Sequence, residues 1–269
     1  MEWIKSFFFK KDIIAKFVVN GPINQKTSQK LMNDIAKASK QKNNIVAIAV
    51  AVNSPGGSAV QSSISGDKIK AFSKRKDLPL FTFGENLAAS GGYWILCVGD
   101  TVYANKNSIV GSIGVIAMLP NFKQLFDQTR IKRTTISTSE QLLERRFDVL
   151  KDQSEQTEED RQFILDNMDD CFQNFKSHVL QYRQKQIKEE NYEKVFNADV
   201  FTGDEAKSFG LIDEFGDLEQ TMTEKYPKVD IVNFSKESQL DALKKRFQLG
   251  GVQIGLKDLL KGMKDAKSI

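Results

Sequence analysis

The stretch that most limits what this chain can fold into is IVAIAVAV, residues 45–52. It is a continuous apolar run, rich in β-branched residues and bounded on both sides by polar ones. Such a run is too short to cross a bilayer, which takes about 20 apolar residues. It suits a strand covered on both faces by helices, as in a parallel sheet.

The neighbouring pattern agrees. IIAKFVV (13–19) reads as a strand ending at the turn NGP, and TSQKLMNDIAKASKQK as a helix opening at Thr27 or Ser28. A helix through ISGDKIKAFSKRK leads to a third strand, LPLFTFG, and a further helix spans about Ser90 to Val98. TVYA and IKRTTIS read as a fourth and a fifth strand. Alternation of this kind predicts an α/β protein of repeated βαβ units with a mostly parallel sheet. A helical region follows. Ile164, Met168, Cys171, Phe175, Val179 and Tyr182 form one apolar stripe along a long helix. Thr202 and Glu205 then form a capping box, and Gly210 ends the short helix that they open.

Composition excludes several functions. A formal net charge of +4, spread along 269 residues, does not make a nucleic-acid surface, and no basic patch is interleaved with aromatics. Cys97 and Cys171 are the only cysteines, and no His or Cys spacing suggests a zinc site, so no metal or other cofactor is expected. Both cysteines are read as buried free thiols. No run is long enough for a transmembrane segment. The opening MEWIKSFFFKKDIIAKF is too short and too interrupted for a secretory signal. Two readings of it stay open: an amphipathic segment lying on a membrane or partner, and a first element covering one end of the core.

Chemistry in an open α/β sheet gathers beyond the carboxyl ends of the strands. Three glycine-rich loops leave strands there: NSPGG (53–57), AASGG (88–92) and GSIGV (111–115). A Pro-Gly-Gly after a buried strand and a Ser-Gly-Gly opening a helix can aim backbone N–H groups at a developing oxyanion. Together NSPGGSAVQS, AASGGYW, GSIGV and FTGDEAKSFGLIDEFGDL resemble the signal peptide peptidase A (protease IV) family of serine peptidases, over roughly Ile13 to Asn233. The resemblance implies the Clp protease/crotonase fold, a nucleophile at Ser90 and oxyanion donors at the N–H groups of Gly57 and Gly91. It places GSIGV near a substrate-binding groove. It divides the chain into an N-terminal segment (1–12), a peptidase-like domain (13–233) and a C-terminal extension (234–269). In the last of these Ile254, Leu256, Leu259, Leu260 and Met263 form a partial apolar stripe, which docks on the domain or binds another chain.

A serine hydroxyl needs a neighbour to take its proton. The only histidine, His178, lies inside the long helix and is read as a helix-face residue, so a Ser-His-Asp arrangement is not expected. The resembled family uses a lysine about fifty residues after the serine, kept neutral by burial. Aligning RTTISTSEQ on that pattern puts Gln141 there, 51 residues after Ser90; a shifted alignment offers Glu140, Leu142 or Leu143. None is a base of the right type, and Arg145 and Arg146 stay charged. Lys132 and Lys151 reach the serine only along a different loop path.

The expected function is therefore a catalytically impaired member of that family, acting as a structural or assembly subunit with other protein chains or copies of itself. The alternatives are an active endopeptidase cutting peptides with a relocated base, and a module that holds peptide or acyl chains without cutting. Ser90 as a helix cap is a further reading of that residue. A mitochondrial or other organellar location is expected, with the cytoplasm as alternative.

Overall fold

A computed structural model describes residues 10–129, 134, 136–139, 148, 150–151 and 156–236. Met1–Phe234 form one unit and Ser235–Ile269 a second, of which only Ser235 and Lys236 are described. The apolar stripe of the C-terminal extension, the Gln141 position and Lys132 all lie outside the described residues.

The run at 45–52 is the centre of the sheet. It lies in β2 (Asn44–Ser54), which pairs in parallel with β1 (Asp12–Asn20) on one side and β3 (Leu80–Ala89) on the other. Its side chains alternate by size. Ile48, Val50 and Val52 enter the larger core beneath α1 (Gln25–Ser39) and α2 (Ala59–Lys76), while Ala47, Ala49 and Ala51 face the second core. Small residues on that face leave room for Phe81, Phe83 and Tyr103, and for Leu218 and Met222 of a later helix. Both cores exclude water, so every apolar side chain of the run contributes burial energy.

Strand β3 is longer than its apolar part. Its first half pairs with β4 (Thr101–Ala104) through Gly84, and its second half with β5 (Ile109–Gly111) from Leu87 onward. Between the halves, Glu85 and Asn86 break the apolar pattern, and the β2–β3 register shifts between Val52 and Ser54. The sheet order is β6-β5-β3-β2-β1-β8, with β4 joining β3 to β7. Here β6 is Val200–Thr202, β7 Glu214–Phe215 and β8 Asp230–Asn233. Only β5–β6 is antiparallel among these pairs, so the chain is the expected α/β fold with a mostly parallel sheet.

Several expectations are refined. Helix α1 starts at Gln25, because the Asn24 side chain accepts from the N–H groups of Lys26 and Thr27 and caps it earlier than Thr27 or Ser28 would. IKRTTIS falls largely outside the described residues, and Thr134, Ile136 and Ser137 from it belong to no strand. Helix α3 (Gly91–Leu96) follows β3, and α4 (Lys123–Thr129) has no buried residue. The long helix, α5 (Glu158–Arg183), opens on a capping box of Thr157 and Asp160. Its apolar stripe is buried only in the second half, at Phe175 and Val179. Cys171 is exposed, contrary to the expected buried thiol, because the core begins one turn beyond it; Cys97 is fully buried.

The end of α5 is fixed by a buried cation. Arg183, 1% exposed, places its guanidinium on Asp213 at 2.8 and 2.9 Å and on the Gly210 carbonyl at 2.8 and 3.1 Å. Burial is the largest single influence and works against this charge, but the hydrogen bonds to Asp213 together with the charge interactions of Tyr93, Asp213 and Cys97 outweigh it and raise the Arg183 pKa. Asp213 also accepts from the Val102 N–H at 2.7 Å, and Tyr93 donates its hydroxyl to the Leu211 carbonyl at 2.9 Å. The segment FGLID thus ties α5, α3 and β4 together. The capping box expected from Thr202 and Glu205 opens α7 (Gly203–Ser208); α6 (Tyr192–Val195) precedes it and α8 (Leu218–Lys225) follows. Removing one partner of such a pair strands the other charge. Arg183→Met should therefore lower the unfolding free energy in urea by about 3 kcal/mol, and a loss below about 1 kcal/mol would show that the clasp is dispensable.

Candidate active site

The three glycine loops meet at Ser90. This residue sits between the end of β3 and the start of α3 with φ 53° and ψ −124°, outside the regions that L-residues ordinarily populate. Its N–H donates to the Gly111 carbonyl at 2.8 Å, and its own carbonyl accepts from the Trp94 N–H at 3.1 Å. The strained turn is thus pinned from the GSIGV loop on one side and by its own helix on the other.

The NSPGG loop closes the third side. Gly56 has φ +96°, and a Cβ there would stand 2.7 Å from the Gly91 nitrogen and 2.8 Å from the Ser90 Cβ. Only glycine permits that approach. Gly57 forms a single parallel bridge with Ile23, in which Ile23 donates to the Gly56 carbonyl and accepts from the Ser58 N–H. In that pattern Gly57's own N–H is turned away from Ile23. It lies beside Gly91: a Cβ on Gly91 would be 3.3 Å from the Gly57 nitrogen. Neither the Gly57 nor the Gly91 N–H donates to another residue among the described ones. Two adjacent unengaged amides beside a serine, one of them the first of a helix, are suited to hold an oxyanion.

Ser90 is half-buried, and its hydroxyl caps no N–H of α3. The capping explanation for this serine is therefore corrected: α3 starts without a side-chain cap, because the left-handed turn carries the Ser90 side chain away from the helix's first amides. Among the described residues the hydroxyl has no hydrogen-bond partner.

His178 is not its base. The ring is buried on the inward face of α5, tilted against Trp94 at 4.9 Å and edge-on to Tyr182 at 5.0 Å. Its Nε2 lies 3.0 Å from the Trp94 carbonyl, which only accepts, so Nε2 carries the proton. Burial lowers its pKa, with the Trp94 carbonyl and Asp67 pulling the other way. The ring braces α3 from beneath. Trp94 also stacks on Phe175 at 4.6 Å, so the helix behind the nucleophile is gripped by α5.

Sequence reasoning found Ser90, Gly57 and Gly91, and the structure brings them together. It missed Gly56 as the residue packed on the nucleophile, although a doubled glycine signals two backbone constraints. It missed the Gly111 carbonyl, a main-chain acceptor that no side-chain pattern announces. Gln141, the position aligned with the family lysine, lies outside the described residues.

The comparisons agree with this architecture. Residues 72–231 match peptidase family S49. The chain belongs to that family, the signal peptide peptidase A family of serine peptidases. It is 29% identical to "Putative protease MJ0651" of Methanocaldococcus jannaschii over 87% of this chain and 73% of that protein. It is 29% identical to "Protease 4" of Haemophilus influenzae over 70% of this chain. It is 26% identical to "Serine protease SPPA, chloroplastic" of Arabidopsis thaliana over 93% of this chain. The chain spans only 29% and 37% of the length of these last two.

The histidine gives a pH test. Its folded pKa is below its unfolded value of about 6.5, so the unfolded chain binds the extra proton first as pH falls. The neutral ring's contribution is complete above about pH 6.5 and is lost as pH drops from there toward the folded pKa. In urea titrations the wild type should lose stability relative to His178→Phe between about pH 7.5 and pH 5. A constant difference across that range would mean that the ring titrates as freely folded as unfolded.

Proposed function

We propose that this S49 protein is catalytically impaired and serves as a structural or assembly subunit, joined to other protein chains or to copies of itself. The observation that carries the reading is an uneven site. The backbone machinery for acyl transfer is built, with Ser90 unengaged and two amides beside it, while the position aligned with the base lysine holds Gln141. An amide side chain does not take up a hydroxyl proton. The sole histidine is committed to the Trp94 carbonyl. Without a base, the remaining oxyanion site and binding surface supply only a residual part of peptidase catalysis.

A fold whose site has lost a base still offers its surfaces. Exposed Ile116, Met118, Phe122 and Leu125 around α4, with Phe163 and Leu165 on α5, support an assembly role.

The second reading is an active Ser/Lys endopeptidase with a relocated base, favoured by the intact conformation of Ser90, a strain that the fold retains at some cost. Lys151 is its nearest candidate in sequence among the described residues; its carbonyl accepts from Asn121. Casein hydrolysis separates the two. Wild type and Ser90→Ala should show the same background rate. A wild-type rate about 100-fold or more above that of Ser90→Ala would establish a working base and end the impaired reading.

A further inference from the structure

Strand β3 changes partners in its middle, and two side chains fill the gap that this leaves. From Val52 to Ser54 the pairing moves two places along β2, but the partners, Gly84 and Ala88, lie four places apart on β3. The surplus residues are Glu85 and Asn86, which no pairing register includes. Toward β4 and β5, the buried Ser108 hydroxyl donates to the Gly84 carbonyl at 3.2 Å and accepts from the Asn105 N–H at 3.0 Å. Toward β2, the Leu87 N–H donates to a side chain, Asn53 Oδ1, at 3.3 Å.

Asn53 is joined to both arms of the site. Its Nδ2 donates to Asn20 Oδ1 at 3.3 Å, and its own carbonyl accepts from the Gly21 N–H at 2.9 Å, so the residue is anchored on the end of β1. Three residues along the main chain from Asn53 stands Gly56, whose N–H is held by the Ser54 hydroxyl at 3.1 Å and which lies against Ser90. Three residues along from Leu87 stands Ser90 itself, reached through Ala88 and Ala89, which pair with Val110 and Gly111. One side chain therefore ties the start of the glycine loop to the start of the half-strand that carries the serine. Only an amide does both jobs, because its oxygen accepts from Leu87 while its nitrogen donates to Asn20.

We propose that Asn53 is a positioning residue for the Ser90 site: its amide sets where the second half of β3 begins, and so fixes Ser90 and Gly91 against the loop of Gly56 and Gly57. The proposal rests on the reading that Ser90 and its two neighbouring amides form a built acyl-transfer site, with or without a base. Asn53 touches no reacting atom. It acts through the register of two segments, and a displacement of one against the other moves the Gly57 and Gly91 N–H groups apart. Preorganised donors lose their effect when they are misplaced by about 1 Å.

The test compares the full chain with Asn53→Leu, Asn53→Asp and Val52→Ala by amide hydrogen exchange and by the rate at which a fluorophosphonate labels Ser90. In Asn53→Leu the amides of 87–90 should exchange at least about tenfold faster, while those of 45–50 stay within about twofold of wild type. Labelling should slow about tenfold or more. Asn53→Asp keeps the acceptor for Leu87 and should label within about threefold of wild type. Val52→Ala weakens the same strand one residue earlier but leaves the amide in place, so its labelling should stay within about twofold. Should Asn53→Leu fail to fold, Asn53→Ser, too short to span to Leu87, carries the same expectations. Equal slowing in Asn53→Leu and Val52→Ala would reduce Asn53 to a contribution to stability and overturn the proposal. Unchanged labelling or unchanged exchange in Asn53→Leu would overturn it as well. A wild type that is not labelled at all would count against the built site, and the exchange of 87–90 would then decide the role of Asn53 by itself.

Discussion

The site depends on one backbone conformation, that of Ser90 at φ 53° and ψ −124°. A non-glycine residue held there costs about 1–3 kcal/mol, and it persists only where its surroundings over-determine it. They do so from three directions. The Gly111 carbonyl holds the Ser90 N–H, α3 holds its carbonyl through Trp94, and Gly56 lies so close that a side chain there would strike Ser90 and Gly91. The result is a serine whose side chain caps no amide of its own helix, beside two amides with no partner among the described residues. Each part alone is ordinary loop geometry. Their convergence gives the arrangement that an acyl-transfer site requires.

The rest of the molecule braces that turn. Trp94 stacks on Phe175 and packs on His178, so α5 supports α3 from beneath. Arg183, at the end of α5, is locked to Asp213 and the Gly210 carbonyl, while Tyr93 reaches the Leu211 carbonyl from α3. The motif FTGDEAKSFGLIDEFGDL is therefore a clamp: its capping box, its aspartate and its carbonyls fix the two helices against β4. It lends the site rigidity and no reacting group. The lone histidine belongs to the same support, its ring held by the Trp94 carbonyl and packed on Trp94 and Tyr182.

Much of this was legible in the sequence, for identifiable reasons. IVAIAVAV suits a strand buried on both faces, which it forms in β2, and the capping box at Thr202 and Glu205 is a local signal that tertiary structure left intact. Strands β5 to β8 were not legible, because two to four residues carry no period and are defined by partners far along the chain. The second half of β3 was hidden by Glu85 and Asn86, polar residues where the sheet divides. Cys171 continued an apolar stripe whose period was right but whose core ended sooner than the helix. At the site, residue identity revealed the serine and the glycines. The main-chain contribution of Gly111 and the contact of Gly56 on Ser90 emerged only in three dimensions.

The proposed function requires that Ser90 and its two amides be able to act while the proton acceptor is missing. The most direct measurement is the rate at which a fluorophosphonate labels Ser90 near pH 8, in the wild type and in Gln141→Lys. A general base contributes about 10²- to 10⁴-fold, so the lysine variant should label at least about 100-fold faster, with Ser90→Ala unlabelled in either background. A wild type that already labels as fast as Gln141→Lys would contradict the account, because a base would then be acting on Ser90 in the native chain.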